Sequence, residues 1–486
     1  MFNKIKQLTK ETALYGLSTF AARFLNFFLV PFYTNIFPPA EYGIVTNLYA
    51  YLAVFNILFL YGMDSSFLKN AANAEGDDKK KIFSTAFWGL SATALVFAAV
   101  LLMISGYAVE FVSLTPSQSY IYYYCIGILV FDNLSAVQFL QLRIDQRPLH
   151  FSLIRFGNIV VNITLNLLLI LVFDFGVEAV FISNLAASVF SYVTLLSTQS
   201  LYLRMLFDSA QFKKMFSFAL PYLPAGLASS FLQVIDRPII ENYLGLKELG
   251  IYQANYRLGI FMMLFVSMFQ FAWQPFFLKN TKSEEAAKLF GRIFTIFVFI
   301  GCLILIFFSF FLPDILRISI SGKTLIGAKY MSAMSMVPII LAAYLFNGIY
   351  VFFNVGILLK DKSLIVPVFV GIAAALKVVI SVLTLQTFGI YGAAWASFIS
   401  YLFLAGAFYF YSSSFFPAVL EFKKLAILAA VTIVSMAFVL YFNSLSIWLR
   451  LLYFGMLPVI LIMSGFTSVA ELKSLVQKLK PGRGKK

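Results

Sequence analysis

Residues 31–44 read PFYTNIFPPAEYGI, and residues 238–251 read PIIENYLGLKELGI. At this offset of 207 positions, five residues recur in order: Pro31, Asn35, Glu41, Gly43 and Ile44 match Pro238, Asn242, Glu248, Gly250 and Ile251. The likeness extends outward, since Phe24–Leu25 returns as Phe231–Leu232, Phe67–Asn70 as Phe277–Asn280, and Phe175–Gly176 as Phe388–Gly389. We predict that the chain contains two related halves, followed by a segment without a counterpart.

The composition is that of a membrane protein. Apolar residues make up 61% of the chain and charged residues 12%, with a mean hydropathy of +0.89, whereas a soluble domain has about 25% charged residues. Apolar runs of about 18 residues or more recur throughout, and each predicts a membrane helix. We therefore predict an all-α polytopic protein of about fourteen spans, at 12–37, 43–68, 83–105, 119–140, 151–173, 178–201, 214–240, 249–278, 289–313, 331–355, 364–386, 390–411, 422–442 and 446–465.

The repeat divides these spans into two groups of six and a final pair. Because six is even, both halves enter the membrane from the same side, which predicts a parallel repeat about an axis along the membrane normal. Two similar bundles of this kind enclose a cavity whose access alternates when they rock. The expected divisions are a six-helix lobe at 1–205, a second at 206–414, two extra helices at 415–470 and a basic tail at 471–486.

The basic residues predict the orientation. Of the 36 Lys and Arg residues, 27 fall on the side of the two termini, six on the other side, and three inside spans. Cytoplasmic connections carry the excess of Lys and Arg, so both termini of this inner-membrane protein are expected in the cytoplasm. The basic residues lie in short loops, which argues against nucleic-acid binding.

Three basic residues lie within predicted spans: Arg23 in helix 1, Arg257 in helix 8 and Lys377 in helix 11. Such a residue costs about 2.5–3.5 kcal/mol at the bilayer centre and usually faces a cavity or a partner. One interpretation is a cationic cavity for an anionic substrate, because guanidinium groups bind phosphate in a bidentate manner. The other is pairing with acids, for which Asp132 in helix 4 and Asp64 in helix 2 are candidates.

The outer end of helix 7 has a second charged group. Asp236 is expected either to bind a coupling proton or cation or, as the favoured alternative, to form an ion pair with its neighbour Arg237. Prolines remove a backbone donor and bend helices, which makes helices 1 and 7 the expected bending elements through Pro31, Pro221, Pro224 and Pro238.

Metal and cofactor chemistry is not expected. Cys125 and Cys302 both lie in apolar runs, and His150, the single histidine of the sequence, lies in a short loop. These positions form no metal-ligand spacing or disulfide framework, so we predict no metal site and no cofactor.

The chain resembles the oligosaccharide flippases of the polysaccharide transporter family (Wzx-type), in the superfamily of MATE exporters and the lipid II flippase. The resemblance is carried by 16–26, by Asp236-Arg237-Pro238 through Glu248-Leu249-Gly250-Ile251-Tyr252 to Tyr256-Arg257, by 143–162, and by Phe388-Gly389-Ile390-Tyr391-Gly392-Ala393-Ala394. It spans essentially the whole chain, but its motifs are diffuse.

The resemblance implies two six-helix lobes around a V-shaped cavity, with two further helices. It implies translocation of undecaprenyl-pyrophosphate-linked oligosaccharide from the cytoplasmic to the periplasmic leaflet, for O-antigen, capsule or exopolysaccharide synthesis. Arg23 and Arg257 stand where relatives bind the pyrophosphate, and Lys377 replaces an asparagine-like position as an added anion contact. A monomer is expected, with the lipid bilayer as its surroundings and a polysaccharide polymerase complex as a candidate partner.

Three alternatives remain at this point. A MATE-type drug exporter shares the fold but needs acids in its lobes, whereas the central charges here are basic. A lipid II flippase is a closer rival, separated by the branch resemblance alone. A membrane polymerase or glycosyltransferase needs a large outer loop or an acidic motif, and the longest outer connection runs only from about Asp314 to Tyr330.

Overall fold

The computed structural model describes residues 27–280, 286–320, 322–359, 364–415, 418–441 and 446–466. Nearly all of them are helical. The α-helices are α1 Phe27–Ile36, α2 Pro39–Leu60, α3 Met63–Ala71, α4 Gly76–Met103, α5 Ser105–Phe111, α6 Ser119–Ile144, α7 Pro148–Leu171, α8 Glu178–Tyr202, α9 Ser209–Ala219, α10 Tyr222–Val234, α11 Asp236–Tyr256, α12 Ile260–Asn280, α13 Ala286–Arg317, α14 Val337–Leu359, α15 Ile365–Phe388, α16 Ile390–Ser412, α17 Phe422–Tyr441 and α18 Ile447–Met463.

The helices confirm the predicted polytopic all-α fold. Within the described residues, 11 helical stretches are long and apolar enough to cross a membrane. One of them, Tyr222–Trp273, is 52 residues long and covers the predicted spans 7 and 8. The shorter apolar helices α1 and α18 correspond to spans 1 and 14, and α1 is described only from Phe27 onward.

Two local features were missed by the sequence analysis. The predicted span 43–68 is two helices, α2 and α3, because Tyr61 and Gly62 adopt left-handed backbone conformations with φ of 35° and 80°. The outer connection after α13 contains a small antiparallel hairpin, in which strand β1 (Ser319–Ile320) pairs with β2 (Lys323–Thr324). Apolar periodicity carries no signal for either feature.

The described residues form two compact units. Unit 1 contains those within Met1–Arg257, Ile326–Ala333 and Leu364–Ser400, and unit 2 contains those within Leu258–Leu325, Met334–Ser363 and Tyr401–Lys486. These units are defined by contacts between residues, whereas the predicted lobes are defined by the sequence repeat. The units therefore do not test the lobe boundaries at 205 and 414, which stay predictions.

Unit 1 has a charged cluster at the basic end of its helices. Lys79 of α4 donates to Asp145 Oδ1 at 2.7 Å, and the Tyr202 hydroxyl of α8 donates to Asp145 Oδ2 at 2.8 Å. Nearby, Lys81 lies 2.6 Å from Asp208 and, through this hydrogen bond, lowers the pKa of the Asp208 carboxyl. The cluster joins the ends of α4, α6 and α8, and ties α4 to the segment before α9.

Replacing Asp145 by asparagine should lower the free energy of unfolding by about 1.5–3 kcal/mol, the usual range for hydrogen bonds to a charged group. The Asp145 side chain is 8% exposed, and it also accepts from Gln141 Nε2 at 2.8 Å. Thermal unfolding in detergent measures the change. Asp77→Asn is the matched control, because Asp77 is fully exposed and 3.7 Å from Lys80. Equal midpoints for the two variants would contradict the prediction.

Unit 2 is built on aromatic packing. Trp273 of α12 stacks on Phe352 of α14 with ring centroids 4.4 Å apart, and its indole Nε1 donates to the Phe352 carbonyl at 3.1 Å. Near the C-terminal end of α13, Asp314 accepts two hydrogen bonds, of 2.7 and 3.0 Å, from Arg450 of α18. Both residues were predicted on the side opposite the basic loops, so this pair agrees with the predicted direction of α13 and α18.

Candidate functional site

Arg257 lies at an interruption of predicted helix 8. Helix α11 ends at Tyr256, a 3₁₀ turn spans Arg257–Gly259, and α12 begins at Ile260. Short 3₁₀ stretches inside a helix often mark a functional hinge. The Arg257 side chain is half-buried, and no ion pair joins it to any carboxylate of the described residues. It is thus a membrane-embedded cation without an acidic partner in the part of the chain that the structure covers.

The surroundings of Arg257 come from the first repeat. The guanidinium interacts electrostatically with Tyr33 of α1 and Tyr49 of α2. The Tyr33 hydroxyl donates to Asn166 Oδ1 at 2.7 Å, and Asn184 Nδ2 donates to the Tyr49 hydroxyl at 3.0 Å. Tyrosine and amide groups from α1, α2, α7 and α8 therefore hold the polar surroundings in place. These tyrosine and amide groups bring no negative charge. The Asp132 carboxylate also acts on Tyr49, but no ion pair joins it to Arg257 among the described residues, which leaves the guanidinium open to an anionic ligand.

The second arginine predicted for this site, Arg23, lies outside the described residues. Its proximity to Arg257 therefore stays a prediction.

Lys377 is not an available anion contact in this structure. Its side chain is 0% exposed, and Nζ lies 3.2 Å from Asp236 Oδ2 and donates to the Leu232 carbonyl at 2.9 Å. The hydroxyl of Tyr252 donates to the same Asp236 oxygen at 2.6 Å. Of the two interpretations, the structure supports the one in which Lys377 forms an ion pair, rather than the one in which it lines an anion-binding cavity.

The expected pair between Asp236 and Arg237 is also wrong. Asp236 instead pairs with Lys377 of α15, 3.2 Å away, and the Arg237 side chain leaves the helix about 100° from that of Asp236. Among the described residues no ion pair joins Asp236 to Arg237, and Arg237 Nε has no hydrogen-bond partner. No spacing rule reveals a pair between helices 7 and 11. The sequence does show an acid in one span and a base in the other, and each indicates that its residue needs a partner.

The two other acids proposed as partners do not balance the three internal bases either. Asp132 lies near Ser188 and interacts with the charge of Arg155 without forming an ion pair among the described residues. Arg155 lies two turns inside α7 rather than in a loop. The Arg155 guanidinium stacks on the Phe139 ring, 4.0 Å from its centroid. Asp64 begins α3, and no ion pair joins it to a described base.

The prolines of predicted helix 7 coincide with helix interruptions. The helical hydrogen bonding is interrupted between α9 and α10 at Leu220–Pro221, although both residues keep helical dihedral angles. Pro224 follows in the first turn of α10, and Pro238 lies in the first turn of α11. In contrast, the helix continues through Pro31, and Asn35 Nδ2 donates to the Pro31 carbonyl at 2.8 Å. Bending at these residues stays a prediction.

The comparisons with known proteins agree with this architecture. The model of the family described as "Polysaccharide biosynthesis protein" matches residues 34–333, more than half of the chain. The chain belongs to this family. No curated protein matches the sequence. This member of the polysaccharide biosynthesis family is thus a multi-pass membrane protein, as its helices indicate.

Solved structures share its fold. The protein is similar to the "Lipid II flippase MurJ, inward closed conformation", with a TM-score of 0.75 and 14% identity over 95% of this chain and 99% of that chain. It is also similar to an inward-facing "multidrug resistance MATE family transporter of the MOP superfamily", with a TM-score of 0.63 and 11% identity over 83% and 94%. The Vibrio cholerae MATE transporter VcmN, as its D35N mutant, gives a TM-score of 0.59 and 12% identity over 85% and 96%. At such identities the likeness establishes the fold, as the resemblance implied.

Proposed function

We propose that this protein is a flippase that moves undecaprenyl-pyrophosphate-linked oligosaccharide from the cytoplasmic to the periplasmic leaflet of a bacterial inner membrane. The transport mechanism is alternating access between the two repeats, and the product serves surface polysaccharide synthesis. Membership of the polysaccharide biosynthesis family and the fold of a flippase support this assignment. No catalytic step is part of the proposal.

The observation that carries the proposal is the unpaired Arg257. An arginine within the membrane is costly and marks a substrate or ion pathway. Lys377, the other base predicted inside a span whose side chain the structure describes, is paired with Asp236, and the charge of Arg155 is partly offset by Asp132. A guanidinium binds a pyrophosphate through parallel N–H···O bonds, and low dielectric surroundings strengthen them. We assign Arg23 the same role from its position in helix 1.

The acids support charge pairing rather than ion coupling. Asp236 and Asp132 each face a base inside unit 1, and a carboxylate already balanced in this way is a weak candidate for a coupling proton or cation. The proposal therefore assigns the cargo site to Arg257 and Arg23, and structural roles to Lys377, Asp236 and Asp132.

A lipid II flippase is the second candidate, because MurJ has the highest TM-score of the three structures compared above. Arg257 does not by itself distinguish the two cargos. A drug exporter is disfavoured, since an unpaired arginine repels a cationic drug.

Reconstituted vesicles distinguish these functions. The purified protein in proteoliposomes should move a fluorescent undecaprenyl-pyrophosphate-linked oligosaccharide between leaflets, and excess cationic dye should not compete. Empty liposomes provide the baseline. Movement of lipid II without movement of the oligosaccharide lipid would select the second candidate, and dye transport would select the exporter.

A further inference from the structure

The backbones of α2 and α11 touch at two glycines. A Cβ atom on Gly43 would overlap the carbonyl oxygen of Leu246, and one on Gly250 would overlap the carbonyl oxygen of Pro39. The Cβ on Gly250 would also lie 3.1 Å from the Gly43 nitrogen. Small residues allow membrane helices to approach this closely. Any larger residue at either position must push the two helices apart.

This contact is reciprocal with respect to the internal repeat. Gly43 and Gly250 match at the offset of 207, and the same offset relates Pro39 to Leu246. Each repeat therefore offers the same surface to the other, as in an isologous interface on a two-fold axis. The contact lies at the ends of the helices opposite the basic connections. If the repeats separate on that side, this contact has to open.

Gly245 directs the chain into the contact. It interrupts α11 with φ of 84° and ψ of 171°, a conformation that is essentially restricted to glycine. The second part of α11, residues 246–256, begins at the next residue and packs along α2. The close approach thus depends on a glycine at the bend as well as on the two glycines in the contact.

Two buried amides oppose the closed arrangement. Asn47 lies four residues after Gly43, and Gln253 three residues after Gly250, so each shares the face of its glycine. Both are at most 1% exposed, and neither amide has a hydrogen-bond partner among the described residues. Burying a polar group without a partner costs free energy. Opening the contact relieves this cost because the amides then meet water or cargo.

A segment from the second repeat forms hydrogen bonds to residues beside the glycine contact. Residues Ile326–Ala333 belong to unit 1. The fully buried Tyr330 donates through its hydroxyl to the Phe37 carbonyl at 2.8 Å, and its own carbonyl accepts from Asn255 Nδ2 at 2.8 Å. The Gly327 nitrogen donates to Thr34 Oγ1 at 3.2 Å. These bonds link the segment to the end of α1, to the residue just after it, and to the second part of α11, next to the glycine contact.

We propose that the Gly43–Gly250 contact is the closed outer gate of the transport pathway, and that Asn47 and Gln253 bias this gate towards opening. The proposal relies on the proposed function only for the presence of a pathway. Its two sets of residues act in opposite directions: the glycines permit closure, and the unpartnered amides weaken it.

Cysteine accessibility tests the gate. Ala254 is fully buried and lies four residues after Gly250 on the same face, so Ala254→Cys reports opening to an impermeant maleimide added from outside. The background replaces the buried Cys125 and Cys302 with alanine. Gly43→Ala and Gly250→Ala should each raise the labelling rate at least about tenfold, equivalent to about 1.4 kcal/mol in the gate equilibrium. Gly371→Ala is the matched control, because a Cβ there meets nothing within 4 Å.

The amides provide the opposite test. Asn47→Leu and Gln253→Leu should each lower labelling of the reporter cysteine and raise the melting midpoint. If the glycine variants fail to fold, labelling of the leucine variants still tests the proposed gate. Labelling at the parental rate in folded Gly43→Ala, or an equal rise in Gly371→Ala, would overturn the proposal, as would higher labelling in the leucine variants. No cargo is used, so failure of oligosaccharide flipping leaves a positive labelling result intact.

Discussion

Lys377→Met should lower the free energy of unfolding by about 3–5 kcal/mol, the usual cost of removing one partner of a buried ion pair. The variant leaves the Asp236 carboxylate without its cation in a site where both side chains are at most 1% exposed. Its remaining described contact is the Tyr252 hydroxyl, since Asp236 Oδ1 has no partner among the described residues. A thermal or denaturant titration in detergent, with wild type in parallel, measures the loss.

The double variant separates a lost cation from a lost side chain. Replacing both partners with apolar groups is often nearly neutral, so Lys377→Met with Asp236→Leu should recover most of the stability. Lys80→Met is the control for removing a lysine, because Lys80 faces the fully exposed Asp77 at 3.7 Å, and exposed pairs contribute about 0–1 kcal/mol. A single variant as stable as the double one would show that the Asp236 charge is not the source of the loss.

The sequence predicts the span positions well for a physical reason. A membrane helix needs about 20 apolar residues, and most Lys and Arg lie in the loops on one side of the membrane. Hydrophobicity and charge therefore each indicate where the chain crosses the membrane. The repeat adds an independent check, because spans 1–6 and 7–12 must correspond. Within the stretch Tyr222–Trp273, the predicted spans 7 and 8 are separated at 241–248, and the Gly245 kink of α11 lies there.

The sequence predicts less of the site, because contacts between distant helices leave no local pattern. Lys377 and Asp236 are far apart in the chain, and nothing at either position indicates the other. Arg237 is the base nearest to Asp236 in the sequence, but the side chains of adjacent residues in an α-helix point about 100° apart. The sequence did contain Gly43 and Gly250, as matched positions of the repeat. Their direct contact follows only when the helices are in place.

Arg257→Ala should nearly abolish oligosaccharide flipping while leaving the protein folded. Truncating one partner of a desolvated charge pair costs about 2–5 kcal/mol of binding, and each 1.4 kcal/mol is about a tenfold change, so a loss of more than tenfold is expected. Arg257→Lys keeps the charge but not the bidentate geometry and should retain intermediate transport. Initial flipping rates in proteoliposomes, at several concentrations of labelled lipid, measure both variants.

Stability separates a binding role from a structural one for Arg257. No described acid pairs with this arginine, so its removal leaves no buried counter-charge, and the melting midpoint of Arg257→Ala should equal or exceed that of wild type. Lys247→Ala is the matched control, since Lys247 is an exposed base on α11, the helix that ends just before Arg257, and its flipping rate should be unchanged. A lowered midpoint together with the loss of transport would assign Arg257 to the fold. Wild-type flipping by Arg257→Ala would remove the pyrophosphate site from the proposal, because Lys377 is already paired with Asp236.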